Sequence, residues 1–233
     1  SQISRTAGDD STYLQLSNYD NSGQFIDNHY LKMAKRWSIE SVHVTSDDNI
    51  LIFCQYSLGN RSLKMINFNG DILFELNPSQ NLFDINFFYE NNQGNYVISA
   101  AYFENTDVAK GIVFCIDRNG NPIWNLPSRI APGSGFMRSV YEQNDGYLLS
   151  GFASSSALFD WRSDAANSDY RAIIQKIDKT GNSQWDTLYT NNFNSTGAGV
   201  IVNNNISFFM GKKDGSIKNV VLLKLDMEGK IVN

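Results

Sequence analysis

One short phrase recurs four times along this chain, and each copy has the form of a strand, a polar turn closed by glycine, and a second strand. The copies are INFNGDILF (66–74), IDRNGNPIW (116–124), IDKTGNSQW (177–185) and LDMEGKIVN (225–233). Their glycines, Gly70, Gly120, Gly181 and Gly229, are 50, 61 and 48 residues apart. A repeat of this length is typical of an array of like structural units.

The residue types within the phrase predict a tight β-hairpin. Asp or Asn stands three residues before each glycine and can accept a backbone N–H across the turn. Glycine supplies the positive φ that a tight connection or a G1 bulge requires. Trp124 and Trp185 stand four residues after their glycines. An aromatic residue that recurs at one repeat position is predicted to pack between neighbouring sheets.

Two further strand-like segments precede each phrase, so every unit reads as a four-stranded antiparallel meander. The predicted units span roughly 37–76, 82–126, 135–189 and 197–233, and residues 11–30 form a partial unit with the turn Asp20-Asn21-Ser22-Gly23. Radial stacking buries both faces of such sheets. We therefore predict an all-β chain, a single β-propeller domain over 1–233 with four full four-stranded antiparallel blades and a partial fifth at the N-terminus. Further blades of the ring could lie outside this chain.

Composition restricts the function classes. The 233 residues carry a formal net charge of −5, with a pI near 5.0. Because nucleic-acid binding needs a basic surface, we expect no nucleic-acid partner. No run of apolar residues approaches the 18 or so needed to cross a bilayer, so we expect no transmembrane segment. The start at Ser1, without Met, indicates a processed or trimmed chain.

Residue types that carry chemistry are sparse. The two histidines, His29 and His43, have no metal-ligand spacing, and the sequence has no GxSxG nucleophile motif. We therefore predict no catalytic residues and no metal site, and we assign the turn aspartates to turn stabilisation rather than to calcium. Cys54 and Cys115 lie in apolar, strand-like runs, which favours buried reduced thiols, although a disulfide stays open.

The pattern [IL]DxxGNxxW, with DGYLLxG before it, resembles the propeller-like repeats of secreted and surface proteins of Bacteroidota-type bacteria. The residues that match are Asp117, Gly120, Asn121, Trp124, Asp178, Gly181, Asn182 and Trp185. The first copy departs from the pattern at Asn67 and Phe74, and the last copy lacks the aromatic. The resemblance implies export and an extracellular or cell-surface site, such as that of an outer-membrane lipoprotein. A weaker similarity to quinoprotein blades would imply a cofactor, but the chain is too short for eight blades, so we predict no cofactor.

The break in the repeat is more informative about binding than the repeat itself. Residues 152–171 form a long connection in the third full unit, and they carry Phe159, Trp161, Arg162 and Tyr170. In a meander this connection shares one end of the sheet with the segments that hold Arg129 and Phe193. Aromatic and arginine side chains are favoured at binding hot spots. These six residues are the candidate binding site, although Trp161 could instead fold onto its own sheet.

Three functions remain open at this stage. The first is a non-enzymatic, exported binding or scaffold protein that recognises a protein, a peptide or a glycan. The second is a polysaccharide-active enzyme that uses carboxylates on the predicted first strands of the units, with Asp84 and Glu142 as candidates. The third is a structural subunit of a larger outer-membrane complex.

Overall fold

The structure is a computed structural model. It describes residues 3–4, 12–33, 37–56, 61–76, 81–103, 109–127, 134–154, 170–189, 193–202, 205–214, 217–226 and 228–232. Within these ranges the regular elements are 18 β-strands in five antiparallel sheets. The chain divides into two compact units, Ser1–Ser79 and Gln80–Asn233. The all-β prediction is confirmed.

The first unit contains two sheets. Sheet 1 has the order β1-β2-β3 and sheet 2 the order β4-β5-β6-β7, so neighbours in sequence are neighbours in space. Their strands are β1 (Ile3–Ser4), β2 (Thr12–Tyr19), β3 (Phe25–Met33), β4 (Trp37–Val44), β5 (Ile50–Tyr56), β6 (Arg61–Ile66) and β7 (Ile72–Leu76). Leu14 and Leu16 of sheet 1 pack against Ile50, Ile52 and Ile66 of sheet 2.

The second unit contains three sheets with the same meander. Sheet 3 comprises β8 (Asn81–Glu90), β9 (Tyr96–Phe103), β10 (Ala109–Ile116) and β11 (Pro122–Pro127). Sheet 4 comprises β12 (Ser134–Gln143), β13 (Gly146–Ser154), β14 (Tyr170–Asp178) and β15 (Ser183–Tyr189). Sheet 5 comprises β16 (Phe193–Val202), β17 (Asn205–Asp214) and β18 (Ile217–Leu225).

Face-to-face packing of successive sheets forms the core of the second unit. Between sheets 3 and 4, the buried residues are Val97, Val113, Cys115, Leu126, Met137, Val140, Tyr147, Leu149, Ile173 and Ile177. Between sheets 4 and 5 they are Leu148, Ala172, Ile174, Tyr189, Leu223 and Leu225. Strand alternation explains the division, because Ile173 and Ile174 are consecutive residues that point to opposite faces of sheet 4. Sheet 4 therefore buries both faces.

Two irregularities recur at equivalent places in the sheets. The register of the first strand slips at Ile39/Ser41, Ile85/Phe87, Met137/Ser139 and Thr196/Gly199. The register between the last two strands slips next to the turn, at Asn18/Tyr19, Met65/Ile66, Cys115/Ile116 and Lys176/Ile177. Bulges of this kind are conserved design features of a sheet rather than defects. The repeat thus extends to backbone geometry.

The strand count differs from the prediction in two places. The partial unit gains a third strand, because Ile3–Ser4 pairs with β2 ahead of the predicted hairpin. The last unit has three strands rather than four among the described residues. After its turn, Ile231 forms only an isolated bridge to Leu225, and Val232 donates its N–H to the Lys224 carbonyl. The division into a single propeller domain stays a prediction.

None of the described residues belongs to a helix with the length and hydropathy required to cross a bilayer.

Candidate functional site

The repeated turn has one geometry in the five copies. In the copy at 178–182, the N–H of Asp178 donates to the Asn182 carbonyl and the N–H of Gly181 donates to the Asp178 carbonyl. The Asp178 carboxylate accepts the N–H groups of Thr180 and Asn182 at 2.9 and 2.8 Å. Gly23, Gly70, Gly120, Gly181 and Gly229 all have φ between 80 and 90°. The predicted role of Asp and Gly in the turn is confirmed.

These hydrogen bonds favour the ionised carboxylate. The N–H of Asn182 contributes most, followed by the side chains of Thr180 and Asn182, and together they lower the pKa of Asp178 to about 2. The pKa values of Asp20 and Asp117 are lowered for the same reason. These three turns therefore favour the charged form of their Asp.

The first testable prediction concerns acid stability. Because the pKa of Asp178 is depressed in the folded state, its contribution to stability is complete above about pH 4 and is lost as the pH falls towards 2. We expect Asp178→Asn to flatten that part of the acid-unfolding curve. Asn can keep the acceptor bonds, as Asn67 does in its own turn at 3.0 and 2.9 Å. A carbon-13 NMR titration giving Asp178 a pKa near 4 would contradict this account.

The recurrent tryptophans cover the turn of the next sheet. The Trp124 indole of sheet 3 donates its Nε1–H to the Lys179 carbonyl of sheet 4 at 3.1 Å. A Cβ added to Gly181 would lie 2.7 Å from the Trp124 ring, and one added to Gly229 would lie 2.7 Å from the Trp185 ring. The turn glycine is therefore needed both for its positive φ and for the close approach of the indole. The prediction that these tryptophans pack between sheets is confirmed.

A buried carboxylate lies beside this contact. The Glu142 side chain, at the end of β12, is only 4% exposed and forms an ion pair with Lys179. Its other oxygen accepts the Asn92 N–H at 2.9 Å and the Tyr89 hydroxyl at 3.2 Å, both from sheet 3. Burial, followed by the neighbouring Glu142 charge, raises the pKa of Tyr89 to about 12, so the phenol remains a donor. Glu142 thus joins sheets 3 and 4.

The surrounding groups complete a network around the same junction. The Lys179 ammonium lies 4.7 Å above the centre of the Tyr147 ring, a cation–π contact. Asn91 donates its side-chain amide to the Tyr147 hydroxyl at 2.7 Å, and the Tyr147 ring lies 5.9 Å from Trp124. Every charge in the network has a partner, which is the arrangement of a structural junction.

This network bears on the enzymatic hypothesis. Of its two candidate carboxylates, Glu142 is buried and fully engaged in hydrogen bonds and an ion pair. Asp84 lies on β8, and its side chain is outside the described part of the structure. Sequence reasoning missed the Lys179 partner. A signal was present, since Glu90 and Glu142 both lie in the last two residues of the first strand of a unit. The basic residues Arg118 and Lys179 both stand two residues before the turn glycine.

The predicted binding residues fall mainly outside the described ranges. Arg129, Phe159, Trp161 and Arg162 belong to the segments 128–133 and 155–169. Tyr170 begins β14 and Phe193 begins β16, but their side chains are not described. The ladder between β13 and β14 extends to the pair Ser154↔Tyr170, so residues 155–169 join two paired strand ends. The structure thus places the two ends of this connection, at Ser154 and Tyr170.

Other candidate chemistry is limited in the described residues. They contain no group of three or more His, Cys, Asp or Glu side chains placed to hold a metal ion. His29 lies 3.2 Å from Asp27, and both side chains are about half exposed. Cys54 and Cys115 are free and buried, and burial raises the pKa of their thiols to about 12 and about 11. The prediction of buried reduced thiols is confirmed.

Comparisons with known proteins give a fold and not a family. No protein-family profile and no curated protein matches the chain. A Synechocystis apocarotenoid oxygenase variant matches with 12% identity over 96% of this chain and 54% of that chain, at a TM-score of 0.56. A Bacteroides caccae protein of unknown function matches with 13% identity over 99% and 91% of the two chains, at 0.39.

A third solved structure is a proposed exo-β-1,3-galactanase from Bifidobacterium bifidum, with 9% identity over 98% of this chain and 88% of that chain, at a TM-score of 0.48. The likeness to the oxygenase shows a shared all-β fold, and the chain spans about half of that enzyme's length. At these identities the likeness carries no activity from one protein to the other.

Proposed function

We propose that the sheets are blades of a β-propeller and that the chain is an exported, non-enzymatic binding scaffold. Export, and a cell-surface site as a lipoprotein or as a subunit of an outer-membrane complex, rest on the resemblance of the repeat. The partner is a protein, a peptide or a glycan. The binding surface is the end of the sheets that carries the 155–169 connection.

One observation carries this proposal. The connections equivalent to 155–169 in the other four-stranded sheets are residues 57–60 and 104–108, and the one in sheet 5 is 215–216. Those have four, five and two residues, whereas the connection between β13 and β14 has fifteen. Insertions in repeat arrays map to one face, which is often the binding face. Trp161 and Arg162 within it are of the types enriched at hot spots.

The opposite end of the sheets supports this choice by its chemistry. There the turn aspartates, the glycines, both tryptophans and Glu142 are engaged in hydrogen bonds and in packing within and between sheets. These groups stabilise the fold and leave recognition to residues that do not repeat. A binding scaffold that recognises its partner through the 155–169 connection is consistent with the chemistry of both ends of the sheets.

The test compares the wild-type chain with Trp161→Ala/Arg162→Ala. Each immobilised protein is incubated with outer-membrane extract and with a glycan array, and retained partners are quantified by mass spectrometry and fluorescence. Loss of two hot-spot side chains is expected to lower partner recovery by roughly 30-fold or more. Arg118→Ala, at the turn end of sheet 3, is the control and should retain binding. Unchanged recovery with the double variant would refute the assignment of this connection.

A further inference from the structure

The packing between sheets defines two kinds of sheet face. The residue four before the turn glycine lies on the leading face, which in sheets 2, 4 and 5 packs on the preceding sheet, as Ile66, Ile177 and Leu225 do. The residue seven before the glycine lies on the trailing face, which packs on the following sheet, as Val113 and Ile174 do. Every observed contact pairs a trailing face with a leading face.

Sheet 1 exposes its leading face. The position four before the glycine is at most 3% exposed in Ile66, Ile116, Ile177 and Leu225. Its equivalent in sheet 1, Tyr19, is 60% exposed and lies in edge-to-face contact with Phe25, which is 53% exposed. Tyr30 pairs with Gln15 on the same face and is 56% exposed. No described atom lies within 4 Å of a Cβ added to Gly23, unlike at Gly181 and Gly229.

Sheet 5 exposes its trailing face. Seven residues before the glycine, Leu63, Val113 and Ile174 are at most 3% exposed, whereas Leu222 is 50% exposed. Nine residues before it, Leu14 and Ala172 are at most 1% exposed, whereas Val220 is 77% exposed. Leu223 and Leu225, the neighbours that point the other way, are buried against sheet 4. Val220 and Leu222 therefore occupy positions whose apolar side chains are buried in the other sheets.

The polar groups on the face of sheet 1 are compatible with burial. Ser17 and Gln15 both donate to the Asn28 side-chain oxygen, at 2.7 and 3.0 Å. Equivalent polar pairs already lie on the buried leading faces of other sheets: Lys64 contacts Glu75 at 2.9 Å, and Gln175 donates to Ser183 at 3.1 Å. Because these groups hydrogen-bond one another within a sheet, covering the face costs fewer hydrogen bonds to water than isolated polar side chains would.

We propose that two copies of this chain associate head to tail, with the trailing face of sheet 5 in one copy packed on the leading face of sheet 1 in the next. A second copy is the occupant because it offers the half of the repeated interface that each exposed face lacks. The contact is heterologous, since Val220 and Leu222 of one copy meet Tyr19 and Tyr30 of the other. Such contacts close into rings or extend as chains.

The area of the two faces determines how strongly two copies of the chain associate. The face of sheet 1 limits the contact, because β1 has only two residues. Its strands β2 and β3, about 4.8 Å apart and 8 and 9 residues long at ~3.3 Å per residue, give a face of roughly 10 by 30 Å. The two faces together then bury about 600 Å², which is below the ~1,200 Å² of stable complexes. We therefore expect reversible association that requires high micromolar concentrations.

Sedimentation velocity of the full chain from ~5 to ~500 μM tests the proposal, and the weight-average sedimentation coefficient should rise with concentration. Tyr19→Lys and Val220→Lys should each abolish the rise, with Tyr30→Lys as a second variant of the first face. All three positions are exposed, so circular dichroism should show an unchanged fold. Val44→Lys, at an exposed valine of β4, is the control and should associate normally.

Mixing the two variants gives the decisive result. The Tyr19→Lys chain keeps an intact sheet 5 face, and the Val220→Lys chain keeps an intact sheet 1 face, so an equimolar mixture should form a dimer and nothing larger. Wild-type chain that stays monomeric at every concentration would overturn the proposal. So would a mixture that fails to associate, association that survives either single variant, or loss of association in Val44→Lys.

Discussion

Gly181→Ala is expected to destabilise the second unit by about 2–5 kcal/mol, through two separate effects. At φ +84° an alanine is strained, and its Cβ would lie 2.7 Å from the Trp124 ring. The indole has little freedom to retreat, because it donates to the Lys179 carbonyl and packs near the Tyr147 ring. Urea denaturation followed by circular dichroism measures the loss.

Gly94→Ala is the matched control in the same unit. Gly94 also has a positive φ of 76°, but an added Cβ there would meet the Arg118 guanidinium, at the end of a flexible and half-exposed side chain. That side chain can move, so we expect a cost of only about 1 kcal/mol, from backbone strain. In a Trp124→Ala background, Gly181→Ala should also cost only about 1 kcal/mol. Equal costs at the two glycines in the wild-type background would show that the indole contact is unimportant.

The turn could be predicted in detail because its information is local. Asp at one position and Gly three residues later specify the hydrogen bonds and the positive φ without reference to the rest of the chain, and Asp117 and Gly120 form the bonds expected of them. Strand alternation then places Ile173 and Ile174 on opposite faces of sheet 4. Because the turn recurs, the same pattern of Asp or Asn with Gly identifies it in each unit of the chain.

Contacts that join different sheets could not be predicted in the same way. Tyr89 of sheet 3 is 53 positions from Glu142 of sheet 4, so only the packing of sheet 3 on sheet 4 brings them together. As a residue on a predicted first strand, Glu142 fits either a catalytic carboxylate or a satisfied polar group of the strand. Its nearly complete burial, which results from that packing, and its ion pair with Lys179 are the features of a satisfied polar group. Similarly, the exposure of Tyr19 and Val220 depends on which faces other sheets cover.

The second large effect is expected at Glu142. Glu142→Ala should destabilise the second unit by about 2–4 kcal/mol, because it leaves the partly exposed Lys179 ammonium and the Asn92 N–H without their carboxylate partner. Glu142→Gln should cost less, since an amide oxygen can still accept the Asn92 N–H. Glu228→Ala, at an exposed glutamate of the last turn, should change stability by no more than about 0.5 kcal/mol.

A double-mutant cycle separates the ion pair from its surroundings. With Lys179→Met as the second change, the cost of Glu142→Ala should fall by about 1–3 kcal/mol. In the Lys179→Met background no ammonium group is left without its carboxylate partner. The cycle also tests the enzymatic hypothesis for this residue. A catalytic carboxylate is held in place at some cost to stability, so replacing it would leave the free energy of unfolding unchanged or raised. A structural carboxylate gives the loss and the coupling expected here.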